Sequence, residues 1–112
     1  MPGYELIGQE EFNEIKHLFD ESKILFRHGF DHLRNNIYKV KEFEKAFAER
    51  MNIPHALGVT SGTSALRVAL AALDIKEGDE VITQSFTFVA TVEAIIESRA
   101  MTVITEIDKT LN

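Results

Sequence analysis

The chain has 112 residues, 45% of them hydrophobic, with a formal charge of -6 from 18 acidic against 12 basic residues. That size suits one small globular domain or a piece of a larger one, burying roughly 65% of the unfolded chain's surface. No basic stripe is present to meet nucleic acid, no cysteine is available for disulfides or thiolate metal sites, and no apolar run is long enough to cross a bilayer.

The opening MPGYELIGQEEF has neither a basic leader nor an apolar core segment. No signal peptide is expected, and a soluble, cytoplasmic chain is the default reading. From Gln9 to about Phe26, Phe12, Ile15, Leu18 and Phe19 form a helical stripe with charges between them. Arg27 to Asn36, interrupted by Gly29 and carrying the Asn35-Asn36 pair, reads as a loop. A second helix is predicted over about Val40 to Met51, with Val40, Phe43 and Phe47 on one face and Lys45 and Glu49 four apart on the exposed side. Asn52-Ile53-Pro54 stops it.

The pattern then changes. A short strand is predicted at about His55 to Thr60, followed by a helix from Thr63 to Leu73 that is almost all Ala, Leu and Val apart from Arg67. Such a helix needs cover on several sides. Lys76-Glu77-Gly78-Asp79 reads as a turn, Glu80 to Gln84 as a strand, Thr87 to Glu97 as a helix and Thr102 to Ile107 as a last strand. This alternation indicates α/β architecture with a largely parallel sheet. The predicted organisation is a helical arm over residues 1–54 and a βαβαβ portion over residues 55–112.

Two segments carry candidate chemistry. Val59-Thr60-Ser61-Gly62-Thr63-Ser64-Ala65-Leu66 takes a predicted strand into a helix through small hydroxyl residues and one glycine. Unpaired N–H groups and the positive end of the helix dipole suit a phosphate there. Gly62 permits close approach, and Thr63 and Ser64 offer hydroxyls. A plain helix cap, since Ser and Thr are preferred there anyway, is the alternative for the same residues. The second segment, Ser85-Phe86-Thr87-Phe88-Val89-Ala90-Thr91, also follows a strand, so both fall on the rim where α/β sheets collect ligands. An aromatic plane beside a phosphate suits a flat phosphorylated cofactor; Phe86 and Phe88 as ordinary core aromatics is the alternative.

The octet, with Ala-Leu, Gly-Asp-Glu-Val-Ile, Ser-Phe-Thr-Phe-Val-Ala-Thr and Glu-Ile-Asp-Lys-Thr-Leu-Asn in this order, strongly resembles the DegT-type nucleotide-sugar aminotransferases, pyridoxal-phosphate (PLP) enzymes of fold type I. The similarity runs from about Val40 onward and more loosely through the arm. The resemblance implies part of a fold-type-I large domain, with α-β-α layers and a mainly parallel sheet, preceded by a helical arm. It implies that Gly62 and Thr63 hold the PLP phosphate, with Ser64 lining the cup, and that Phe88 stacks on the pyridine ring. The implied reaction is a ping-pong transfer from an amino-acid donor, often glutamate, to a keto-sugar on a nucleotide. Gly78, Asp79 and Asp108 match structural turns.

In the family, the Schiff-base lysine and the aspartate at the pyridine nitrogen lie beyond the matching segment. The lysines here are Lys16, Lys23, Lys39, Lys41, Lys45, Lys76 and Lys109. All fall on exposed helix faces, in loops or in turns, so no catalytic residue is assigned and this chain alone is not expected to transaminate. A non-catalytic truncated remnant or accessory binding module is the competing reading. The family usually places a glycine and a proline near Ser98-Arg99-Ala100-Met101-Thr102, and a glycine-rich turn within Arg27 to Tyr38; both are missing. The resemblance also puts the strand ending at Thr60 at one edge of a seven-stranded sheet, away from the later two strands. Bare edges and an apolar helix then call for another copy, a complementing fragment or a rearranged sheet. His28 and His32 are four apart but lack an evident third ligand, and no metal is expected. Neither G-x-G-x-x-G nor a Walker A loop is present.

Overall fold

The computed structural model describes residues 3–110. Leu111 and Asn112, the end of the last motif, lie outside them, as do the extreme ends of both predicted segments. The chain divides into two compact units, one up to Gly58 and one from Val59.

The first unit is helical. After a 3-10 turn at Tyr4–Leu6, α1 spans Gln9–Glu21 and α2 spans Lys39–Met51. Glu11 accepts the Gly8 N–H at 2.7 Å, half of a capping box, since glycine offers no side chain in return. The predicted continuation of α1 to Phe26 is not observed. Ser22 and Lys23 both donate N–H groups to the Leu18 carbonyl, and Lys23 turns left-handed at φ 57°, which ends the helix. The predicted loop holds one 3-10 turn at Asp31–Leu33. α2 stops as expected: Asn52 is left-handed at φ 53° and Ile53 donates to the Ala48 carbonyl at 3.0 Å. Phe43 and Phe47 pack ring against ring at 5.9 Å, and Lys45 and Glu49 form the exposed pair at 3.9 Å.

The predicted strand over His55–Thr60 is absent. The ladder among the described residues joins two later strands, and the Gly58 N–H goes instead to Glu44 Oε1 at 2.7 Å. A strand exists only where its backbone groups meet a neighbouring strand.

The second unit contains α3 (Gly62–Ala72), β1 (Glu80–Gln84), α4 (Val89–Glu97) and β2 (Met101–Thr105). β1 and β2 pair in parallel with Glu80 opposite Met101 and Gln84 opposite Thr105, and α4 is the crossover that a parallel pair requires. Hydrogen bonds from Met101 to Asp79 (2.8 Å) and from Ser85 to Thr105 (3.2 Å) extend the ladder at both ends. β2 ends at Thr105 rather than Ile107, because the ladder to the β1 side ends there. Gly78 is left-handed at φ 95° within the predicted turn, and Asp79 closes it by accepting the Lys76 N–H at 2.9 Å. The core of this unit is Ala90, Ala94, Ile95 and Ala100. α3 has no buried residue, and Ile82, Met101 and Ile104 are exposed on the sheet. Among the described residues, no helix is long and apolar enough to cross a membrane.

Candidate functional site

α3 begins at a serine cap. Ser61 is extended (φ -161°, ψ 162°), and its Oγ accepts the Ser64 N–H at 3.1 Å. Its carbonyl accepts the Ala65 N–H at 3.0 Å. Gly62 and Thr63 are therefore the first-turn residues whose N–H groups have no intrahelical acceptor and no cap. Ser64 Oγ lies 3.0 Å from Ser61 Oγ and 3.3 Å from Thr60 Oγ1. The Thr63 hydroxyl makes no hydrogen bond among the described residues.

Gly62 is informative for what surrounds it. A Cβ built there meets no atom within 4 Å, and its φ lies outside the left-handed region that only Gly3, Gly29 and Gly78 occupy among the described glycines. Neither packing within the chain nor backbone strain requires glycine at this place. The turn offers two open donors, the positive end of a helix and unobstructed space, which fits an anionic group such as a phosphate.

Phe88 stands at the start of the other helix. It is the N-cap residue of α4, extended at φ -72° and ψ 143°, so the helix begins two residues later than the predicted Thr87. Thr87 Oγ1 lies 2.9 Å from Thr91 Oγ1 across this entrance. Phe88 is 78% exposed and Phe86 67%, so neither is a core aromatic of the described chain. Gly62 and Thr63 are neighbours on one turn. No hydrogen bond or ring contact joins Phe88 to that turn among the described residues.

Two connections were hidden from sequence reasoning because their partners are far apart along the chain. Arg67 on α3 grips Glu97 at the end of α4, with Nη2 donating to Oε1 at 2.5 Å and Nε paired with Oε2. In the first unit, Glu44 accepts both Arg27 Nη2 at 2.6 Å and the Gly58 N–H. The Arg27 hydrogen bond, then the Gly58 N–H, holds the Glu44 carboxyl below the usual carboxylate range. The four ion-paired lysines show the reverse of what a nucleophilic amine needs. Lys39 lies 2.7 Å from Glu14 and 3.4 Å from Glu42, and the Glu14 hydrogen bond holds its ammonium above the usual lysine range, against some desolvation. Lys16, Lys45 and Lys76 are exposed and paired with carboxylates.

The sequence model of the DegT/DnrJ/EryC1/StrS aminotransferase family matches residues 28–112. The chain is 45% identical over 69 residues to GDP-perosamine synthase from Vibrio cholerae, which covers 62% of this chain and 19% of that protein. The solved aminotransferase from Psychrobacter cryohalolentis is similar over 91% of this chain and 24% of its own, with a TM-score of 0.75 and 30% identity. Spr1654 from Streptococcus pneumoniae, solved in its PLP form, is similar over 85% of this chain and 22% of its own, with a TM-score of 0.67 and 26% identity. The chain thus spans less than a quarter of the length of each of these three.

Proposed function

The chain belongs to the DegT/DnrJ/EryC1/StrS aminotransferase family, and on that premise we propose that it contributes the phosphate turn and the ring-covering aromatic of a PLP-dependent aminotransferase. In the assembled enzyme the amino group passes from an amino-acid donor to a keto-sugar carried on a nucleotide. Residues 1–54 serve as a helical arm and residues 55–112 as cofactor-binding structure, in a soluble cytoplasmic protein. Bound PLP supplies the electron sink for the amino transfer.

The chain's own residues do the holding. Gly62 and Thr63 donate main-chain N–H groups to the phosphate, and the Thr63 hydroxyl adds a third donor. Ser61 and Ser64 fix the turn that presents them. Phe88 lays its ring over the cofactor's ring. The observation that carries this reading is the pair of unpartnered N–H groups beside a glycine that nothing in the chain requires. Equilibrium dialysis against PLP tests it. Retention that excess inorganic phosphate displaces supports the reading; no retention by folded protein overturns it.

The alternative is a chain that holds the fold without the reaction, a non-catalytic remnant or accessory binding module. The exposed lysines favour it for this polypeptide by itself: Lys16, Lys39, Lys45 and Lys76 are paired with carboxylates, and Lys41 lies over the Tyr38 ring. Borohydride treatment with PLP separates the two. Covalent labelling with turnover supports catalysis by this chain, and neither supports the non-catalytic reading.

Association belongs to the same reading. Leu66 and Val68 on α3 and Ile82, Met101 and Ile104 on a two-stranded sheet are exposed, and such surface is unfavourable in water. A second copy or a complementing fragment covers it. A stable, monodisperse monomer in sedimentation contradicts this part of the proposal.

A further inference from the structure

In the first unit, Phe26 and Phe30 form an aromatic pair that the described chain leaves largely uncovered. Their ring centres lie 5.6 Å apart with planes 27° from parallel, the geometry of an offset stack. Phe26 is 67% exposed and Phe30 48%, so the stack hides only part of each ring.

The backbone that carries the pair is tied down, and part of it is strained. Arg34 is buried and its guanidinium donates to the Phe26 carbonyl. The Phe30 carbonyl accepts the Leu33 N–H at 2.8 Å, at the start of the 3-10 turn Asp31–Leu33. Gly29 and Phe30 are both left-handed, at φ 80° and φ 56°. Glycine adopts that backbone freely, whereas a residue with a Cβ does so against its steric preference. The result at Phe30 is a half-exposed ring rather than a buried one. Strained backbone that presents exposed aromatic surface points to a ligand.

Two near-parallel rings suit another flat π-system laid against them. A phenyl ring has no hydrogen-bonding group, so it holds such a ligand by stacking and does not read its edges. An acceptor sugar carried on a nucleotide brings a plane of this kind, the nucleobase. We propose that the Phe26–Phe30 stack is the platform for that nucleobase, with the base against Phe26, the more exposed ring. The identity of the ligand rests on the proposed function. The platform itself uses none of Gly62, Thr63 and Phe88.

The ring-proton resonances of Phe26, identified by their loss in Phe26→Leu, report on the platform directly. Guanosine diphosphate should move them upfield and saturably, while ribose 5-phosphate, which lacks the base, leaves them in place. Phe26→Leu keeps an apolar side chain without a plane and should weaken guanosine diphosphate in equilibrium dialysis about tenfold, the scale of one lost base–aromatic stack. Phe26→Tyr should restore the affinity. An absent or linear shift, an equal one with ribose 5-phosphate or with PLP, or unchanged affinity in Phe26→Leu overturns the proposal. The contrast between guanosine diphosphate and ribose 5-phosphate on the unsubstituted chain decides the matter even where a variant does not fold. The two readings fail separately. A nucleotide response at Phe26 without PLP retention strikes the phosphate turn, and PLP retention without a nucleotide response at Phe26 strikes the platform.

Discussion

Arg67 and Glu97, thirty positions apart, meet as a two-point fork that ties α3 to α4: Nη2 donates to Oε1 at 2.5 Å while Nε faces Oε2. Both side chains are about half exposed (47% and 49%), so solvent screens the pair despite its good geometry. Arg67→Ala and Glu97→Ala should each destabilise the chain by about 0.5–1 kcal/mol. A double-mutant cycle in chemical denaturation should recover a coupling that shrinks as salt rises.

Ser61→Ala removes the cap of α3 and should cost about 1 kcal/mol, whereas Ser61→Gly should cost only a few tenths. Gly62→Ala behaves differently, because the new methyl meets nothing within 4 Å. Its stability should stay within about 0.5 kcal/mol of the unsubstituted chain, while PLP retention falls at least tenfold. Thermal unfolding and dialysis, run side by side, check the separation.

Arg99 ends α4 in the left-handed conformation, φ 64°, and its N–H reaches the Ile96 carbonyl at 2.9 Å. The chain departs here from the glycine that the family resemblance implies for this step. A residue with a Cβ pays about 1 kcal/mol for this backbone, partly offset by the greater freedom that glycine has when unfolded. Arg99→Gly should therefore stabilise the chain by up to about 1 kcal/mol, seen as a higher midpoint of denaturation.

Glu44 gives a pH-dependent prediction. Its carboxyl is held below the usual range by Arg27 and then by the Gly58 N–H. A depressed folded-state pKa means that the stabilisation is fully present above the unfolded glutamate value of ~4.3 and is lost as pH falls through the lower folded value. Glu44→Gln should flatten this part of the stability–pH curve and be less stable than the unsubstituted chain near neutrality. Denaturation series from neutral to acidic pH measure both.

Local chemistry made much of the architecture legible. Gly78 with Asp79 marked the turn that precedes β1, and Asn52 before Pro54 marked the end of α2. The parallel α/β pattern followed from element order. The boundaries that escaped prediction were set by non-glycine residues in left-handed backbone, as at Lys23, or by an extended residue at a helix entrance, as at Phe88. Residues 55–60 have strand-like composition but no neighbouring strand among the described residues, and composition alone cannot supply one. The turn at Gly62 and Thr63 was visible as a phosphate candidate because hydroxyl residues and a glycine interrupt an apolar pattern. The choice of Phe88 rather than Phe86 as the stacking ring rested on the resemblance alone. Nothing local announces the pairs Arg67–Glu97 and Glu44–Gly58, because each depends on tertiary placement.

Phe88 is exposed and touches no other aromatic ring among the described residues. Phe88→Ala should change stability by no more than about 0.5 kcal/mol yet weaken PLP retention severalfold. Phe88→Tyr should preserve retention, because a stacking face remains.

The central claim concerns two backbone amides, and their 15N–1H resonances test it without reliance on turnover. Titrating PLP into the folded protein should move the Gly62 and Thr63 amide signals saturably, with inorganic phosphate in excess reversing the change. If those two signals stay fixed while the cofactor binds elsewhere or not at all, the phosphate-turn assignment is contradicted.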